Sequence, residues 1–234
     1  MTDWTPAPKP ALLAETRLVD AILDGVFPVN SILPPERELA EQLGVTRPTL
    51  REVLQRLTRE GWIEIRHGKS TRVRDYWREG NLLILSAVAR HQQGQQGDFV
   101  PNLLHIRLLL APEYTRLAIQ KKSREVIRIL EPLPSLPDQA EAFSQADLDL
   151  HYQLTILSGN PVFTLILNGF RDLYLSMGNH YFSLAQARDH SRSFYRKLLS
   201  AVLSNDGYMA EQVTRQVMMD SMDIWRLSTK STAQ

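Results

Sequence analysis

The 234 residues contain no cysteine, which excludes disulfides, thiol catalysis and cysteine-ligated zinc or iron-sulfur centres without fixing a compartment. No apolar run approaches the ~18 residues that cross a bilayer. The opening "MTDWTPAPKPALLAETR" lacks the basic-then-apolar layout of a secretory leader, so a cytoplasmic chain with no membrane partner is expected. A Gly-x-Ser-x-Gly elbow and a phosphate-cradling glycine loop are also missing, which leaves an enzyme without positive support. Aromatic residues are only 8%, but hydrophobic residues reach 43%, enough to bury a core in one large or two smaller domains.

An excess of charge of one sign is lacking too, since the formal net charge is +1. That charge is unevenly spread. From Arg47 to Arg74 stand eight Lys/Arg (Arg47, Arg51, Arg56, Arg59, Arg66, Lys69, Arg72, Arg74) against three acids (Glu52, Glu60, Glu64), a local net of +5 that leaves −4 for the remainder. Such a concentration suits a surface facing a polyanion, and equally a solvated charged face.

Periodicity separates the two. Leu12, Leu13, Val19, Ile22 and Leu23 predict an amphipathic helix ended by "DGVFP". A second, short helix runs from Glu36 to Leu43, burying Leu39 and Leu43, with Gly44 as its C′ glycine. Leu50, Val53, Leu54 and Leu57 recur at i, i+3, i+4 and i+7 and define a third helix whose outer face carries Arg47, Arg51, Gln55 and Arg59. Two helices joined by the tight "GVT" turn make a helix-turn-helix. In "EGWIEIRHGKSTRVRDYW" the period drops to two: Trp62, Ile63 and Ile65 predict one strand, Thr71 to Val73 another, with Gly68 in the turn between them. This is the winged-helix arrangement. Glycine turns are common in purely structural hairpins, but a tip carrying Arg66, His67 and Lys69 beside a basic helix favours contact with DNA.

The third helix opens with "RPTLR". Pro48 in the first turn is tolerated because its missing N–H would have no intrahelical partner, with Thr46 or Arg47 as N-cap; the sequence leaves that choice open. Arginine there opposes the macrodipole by ~0.3–1 kcal/mol. Phosphates and guanine O6/N7 of a major groove would supply the missing anion.

"LPPERELAEQLGVTRPTLREVLQRLTREGWIEIRHGKSTRV" resembles the N-terminal domain of GntR-type transcription regulators, a likeness covering roughly residues 10–76. The resemblance implies DNA contact by Arg37, Thr46, Arg47, Thr49, Arg51, His67, Gly68 and Lys69. Pro48 departs from it, standing where close relatives can carry a hydroxyl residue.

After "REGNLLILSAVARH", a predicted connecting helix, "HQQGQQGDF" is a polar break. It divides the chain into a winged-helix domain over 1–76, a connector over 77–98 and an effector domain over 99–234. Beyond the break the pattern stays helical and no strand stands out, which predicts an all-α bundle of six or seven helices able to enclose a pocket. The fold class is therefore mainly α, an N-terminal winged helix-turn-helix with a small hairpin plus a C-terminal helical bundle.

Asp147 and His151 lie four apart, the spacing of two metal ligands on one helix face. Related effector domains use an aspartate and three histidines, but here Tyr195 occupies the "SFYRKLL" helix and no histidine follows His190. Two ligands hold an ion poorly, so no metal and no cofactor is expected, and a pocket or helix-face hydrogen bond is the competing use. His105 and His180 sit among apolar and aromatic residues and read as packing. "SGNP" reads as a helix stop and restart, with Gly159 or Asn160 at the turn and Pro161 opening the next helix. Tyr174, Tyr181, Phe182 and Trp225 suit either a core or an apolar pocket.

"LDLHYQLTILSGNPVFTLILNGFRDLYLSMGNHYF" and "SMDIW" are similar to the fatty-acid-responsive members of the same family, at lower density from Ala11 to Trp225. Those members lack the metal and bind long-chain acyl-CoA. The resemblance implies that Arg107, Tyr174, Tyr181, Ser221, Trp225 and Lys230 line the effector site, the cations suiting coenzyme A phosphates and the aromatics an acyl chain. Met218 and His151 stand where those members have glycine and phenylalanine, which changes the effector site and keeps a second ligand class open: a small carboxylate, with or without a metal. The implied protein is a homodimer on a palindromic operator, released by long-chain acyl-CoA. It would repress fatty-acid degradation and, by extension of the likeness, activate unsaturated fatty-acid synthesis.

Overall fold

The structure, a computed structural model, describes residues 9–66, 68, 70–91 and 99–231, the side chains of 228–231 excepted. The chain forms two compact units, Met1–Gly94 and Gln95–Gln234.

The first unit opens with α1 (Pro10–Leu23), α2 (Glu36–Leu43) and α3 (Arg47–Glu60). α1 buries Ala14, Leu18, Val19 and Ile22, so its apolar stripe starts later than expected, and Leu12 and Leu13 are exposed. α2 buries Leu39 and Ala40 while Leu43 is only half-buried. It ends at Gly44, whose φ of 70° is the left-handed conformation that reverses the chain into α3. α3 buries Leu50, Val53, Leu54 and Leu57, as its period requires, and Arg56 Nε lies 2.7 Å from Glu15 Oε2 of α1.

The hairpin pairs β1 (Ile63–Glu64) with β2 (Arg72–Val73), Ile63 opposite Val73 and Glu64 opposite Arg72. The segment before α2 joins the same ladder, since Ile32 bridges Arg72 and Leu33 N–H donates to the Thr71 carbonyl. The strand expected through Ile65 stops at Glu64 and Ile65 is exposed. Trp62 and Ile63 are neighbours, yet both are fully buried; the base of the hairpin is enclosed on both faces, so simple alternation fails there. Gly68 lies in a turn at φ 70°. His67 and Lys69 lie outside the described residues.

The single connecting helix expected after the hairpin is broken into α4 (Tyr76–Glu79), a 3-10 turn (Leu82–Ile84) and α5 (Leu85–His91). Gly80 is extended (ψ 170°) and stops α4. Asn81 then caps the next turn through Leu83 N–H and donates to the Arg59 carbonyl, tying the break to the end of α3. α5 packs on α1, with His91 Nε2 3.3 Å from Asp24 Oδ1.

The described residues of the second unit form no strand. They fold into α6 (Phe99–Leu130), α7 (Ala140–Leu157), α8 (Pro161–Gly169), α9 (Arg171–Phe182), α10 (Ala185–Leu203) and α11 (Gly207–Ser231). α6 continues to Leu130 past a kink at Lys122, because Val126 and Leu130 still bury into the core beyond the charged "KKSRE" turn. The "SGNP" restart is formed by Gly159 at φ 71° and by Asn160, whose side chain accepts from Val162 N–H while Pro161 opens α8. α6 packs along α11 and α7 along α9. Gly178 permits the second of these approaches, since a Cβ on it would stand 2.5 Å from Ser144 Oγ. That close packing brings Asp147 of α7 to Tyr174 of α9. Among the described residues no helix is long and apolar enough to cross a membrane.

Candidate functional site

The helices of the second unit surround a cavity of about 1100 Å³, counting the part that opens to solvent. Most of its wall is apolar. α6 contributes Val100, Leu103, Leu104, Arg107, Leu110 and Tyr114, positions that recur at helical spacing along one face. Phe163, Ile166, Leu167 and Phe170 extend the apolar lining, and Met218 and Trp225 contribute from α11.

The polar groups in the wall are few, and Arg107, Asp147 and Tyr174 among them are joined to one another and to Tyr195, which does not line it. Arg107 Nη2 donates to Asp147 Oδ2 at 3.3 Å, Tyr174 OH donates to the same oxygen at 2.5 Å, and Tyr195 OH donates to Oδ1 at 3.4 Å. The Arg107 guanidinium also lies over the Tyr174 ring, 4.5 Å from its centre. Tyr181 OH donates to Ser221 Oγ at 3.2 Å. Burial works against the charge on Arg107, but the pull of its neighbours, among them the Asp147 carboxylate, prevails, so the guanidinium is held protonated. Burial pushes the Tyr174 and Tyr114 hydroxyls up, and that of Tyr181 to about 12, so all three stay neutral.

Of the residues expected to meet an effector, Arg107, Tyr174, Tyr181, Met218, Ser221 and Trp225 line this cavity. His151 does not. It is fully buried behind the wall, its Nδ1 2.7 Å from Tyr114 OH, and burial lowers its pKa to about 4, so it is neutral. Lys230 belongs to α11, and its side chain lies outside the described residues. His105 is exposed, not packed, and His180 is exposed with its ring edge-on to Trp225 at 5.3 Å. Sequence reasoning missed Tyr114 and Phe163 as lining residues. The former had a signal, for it follows Arg107 by seven positions on the same helix face.

Asp147 and His151 do not fit a metal. Their nearest N···O distance is 3.9 Å, and the carboxylate is already compensated by Arg107, which would repel a second cation. Among the described residues no three His, Cys, Asp or Glu side chains converge as metal ligands.

The other candidate surface belongs to the first unit. Thr46 is the N-cap of α3, accepting from Thr49 N–H at 3.3 Å, and the two hydroxyls lie 2.9 Å apart. Arg37 and Arg47 are exposed with no ion pair among the described residues, and Gly68 is exposed at the hairpin tip. Arg51, 66% exposed, is held at Nε by Glu36, 2.8 Å away. Much of the local positive charge is balanced internally: Arg66 and Arg72 pair with Glu64 at 2.9 and 3.1 Å, and Arg74 with Glu79 at 3.0 Å. Arg37 on α2 and Arg47 at the start of α3 thus face solvent without an ion pair among the described residues, as does Arg59 at the far end of α3.

Comparison with known proteins places both units. Residues 11–73 match the family described as bacterial regulatory proteins, gntR family, and residues 74–233 match the FadR C-terminal domain. A fatty acid metabolism regulator protein of Klebsiella pneumoniae is 38% identical over 225 residues, covering 96% of this chain and 94% of its own. One from Shewanella pealeana is 41% identical over 220 residues, covering 94% and 92%. The solved structure of Lar, which controls expression of the Listeria monocytogenes agr system, is 17% identical with a TM-score of 0.61, covering 95% of this chain and 100% of its own. That last likeness concerns fold alone.

Proposed function

The chain belongs to the GntR family of bacterial regulatory proteins and carries a FadR C-terminal domain, and from that premise we propose that it is a non-enzymatic, DNA-binding transcription regulator of fatty-acid metabolism, released from its operator by long-chain acyl-CoA. The observation that carries the ligand half is the cavity, whose mostly apolar wall carries one ion pair, Arg107 with Asp147, and a few neutral hydroxyls. An acyl chain gains ~0.8 kcal/mol per buried methylene, and Arg107, Tyr181 and Ser221 give its polar end hydrogen-bond partners. Lys230 would serve the coenzyme A phosphates. A small carboxylate would use Arg107 but leave most of the apolar wall uncovered.

The DNA half rests on the helix-turn-helix. A homodimer would place each α3 in the major groove of a palindromic operator, with Arg37, Thr46, Arg47, Thr49 and Arg51 at the duplex and the hairpin tip at its edge. Acyl-CoA binding would favour a dimer geometry whose half-site spacing no longer fits, which requires the ligand to prefer that geometry. Genes of fatty-acid degradation would be repressed in its absence, and unsaturated fatty-acid synthesis activated.

The test is fluorescence anisotropy of a labelled operator duplex with the purified chain. Binding should weaken steeply with salt, as phosphate contacts release counterions, and long-chain acyl-CoA should displace the duplex while free coenzyme A does not. Displacement by both alike, or by neither, overturns the acyl-CoA reading; a duplex that is never bound overturns the DNA reading.

A further inference from the structure

We infer that Glu36 is a positioning residue for DNA recognition, taking the Nε–H of Arg51 so that the guanidinium presents its two terminal nitrogens outward in a fixed direction. The inference rests on the DNA-binding reading above.

Glu36 is the first residue of α2 and Arg51 lies in the second turn of α3, so the pair spans the helix-turn-helix at 2.8 Å. The Glu36 side chain is 42% exposed and that of Arg51 66%, and a solvent-accessible pair of this kind contributes little to stability. Its consequence lies in geometry. Arg72 has Nη1 on Asn30 and Nη2 on Glu64, so both ends of its fork are closed, and Arg74 has one end on Glu79. Arg51 donates only Nε among the described residues. Its terminal nitrogens have no hydrogen-bond partner among the described residues, and it follows Arg47 by one helical turn on the same exposed face.

A guanidinium recognises phosphate or guanine as a planar fork, so fixing its plane before contact removes an ordering cost. Charge alone argues the other way. A carboxylate beside a polyanion repels it, and its removal would tighten every duplex alike. The two effects therefore differ in sign on a specific site, which makes them separable.

The experiment uses the full chain, a duplex enriched from a random pool by the wild-type protein, and a scrambled duplex of the same composition. Glu36→Ala should tighten the scrambled duplex yet weaken the enriched one, cutting their affinity ratio by about tenfold, within the discrimination of one bidentate contact. Glu36→Gln, whose amide oxygen still accepts the Nε–H, should keep most of the ratio. In an Arg51→Ala background, Glu36→Ala should no longer weaken the enriched duplex. Equal tightening of both duplexes by Glu36→Ala, or the same loss with and without Arg51, overturns the inference while leaving DNA binding in place. A wild-type chain that enriches no duplex overturns the DNA-binding reading, and this inference with it.

Discussion

Arg47 and Arg107 carry the same group in opposite surroundings. Arg47 stands exposed at the start of α3, with no ion pair among the described residues. Arg107 sits in the cavity wall, three-quarters covered, held by Asp147 and the face of Tyr174. Water solvates the first, so its loss should appear in binding and leave the fold alone. The protein solvates most of the second, so disturbing its partners should appear in stability before it appears in ligand affinity. A cation for binding is thus separable from the fold at Arg47, whereas at Arg107 the two roles fall on one residue.

The sharpest way to break that contrast is Asp147→Ala. It leaves Arg107 without its carboxylate, at a cost of about 3 kcal/mol, the low end for a broken buried pair because part of the guanidinium still reaches solvent. Urea unfolding measures it, and Arg107→Met combined with Asp147→Leu should recover most of the loss. Wild-type stability in Asp147→Ala would put Arg107 in the same class as Arg47.

A pH series comes next. Burial lowers the pKa of His151 from 6.5 to about 4, so between those values the unfolded chain binds a proton that the folded chain refuses. The contribution is present above pH 6.5 and is lost as pH falls toward 4, by up to about 3 kcal/mol. His151→Phe should flatten the stability curve across that window; parallel curves for variant and wild type would contradict the assignment.

The remaining two changes address α3. Arg47→Ala should remove specific operator binding, at ~1–3 kcal/mol for a lost bidentate contact, with an unchanged melting temperature. Unchanged affinity and sequence preference would refute the recognition-helix assignment. Thr46→Ala should cost about 1 kcal/mol of stability through the lost cap, which thermal unfolding resolves. A change within error would mean that the Thr49 N–H is served equally well by water.

What could be read from the sequence follows the range of the forces involved. α2 and α3 were legible because Leu39 and the Leu50–Leu57 series repeat at helical spacing, with Gly44 marking the turn between them. The N-cap choice between Thr46 and Arg47 was not, since it depends on a hydroxyl's direction. Ile65 was misplaced because alternation assumes one open face, and Trp62 and Ile63 are both buried. The connector was read as one helix because Gly80 costs a helix only modestly in isolation, whereas here Asn81 fastens the break to the Arg59 carbonyl. The four-residue spacing of Asp147 and His151 is visible in the sequence, while the partners of Asp147, 40 residues away at Arg107, 27 at Tyr174 and 48 at Tyr195, are brought in only by packing.

Thermal unfolding of the purified chain with long-chain acyl-CoA, free coenzyme A, citrate and a divalent metal in parallel tests the central claim most directly. Ligand at ~100 times its dissociation constant stabilises by ~2.7 kcal/mol, a readily measured shift. The account predicts that acyl-CoA raises the melting temperature and that citrate and metal do not. A shift with citrate or metal and none with acyl-CoA would contradict it and make Asp147 and His151 the functional centre.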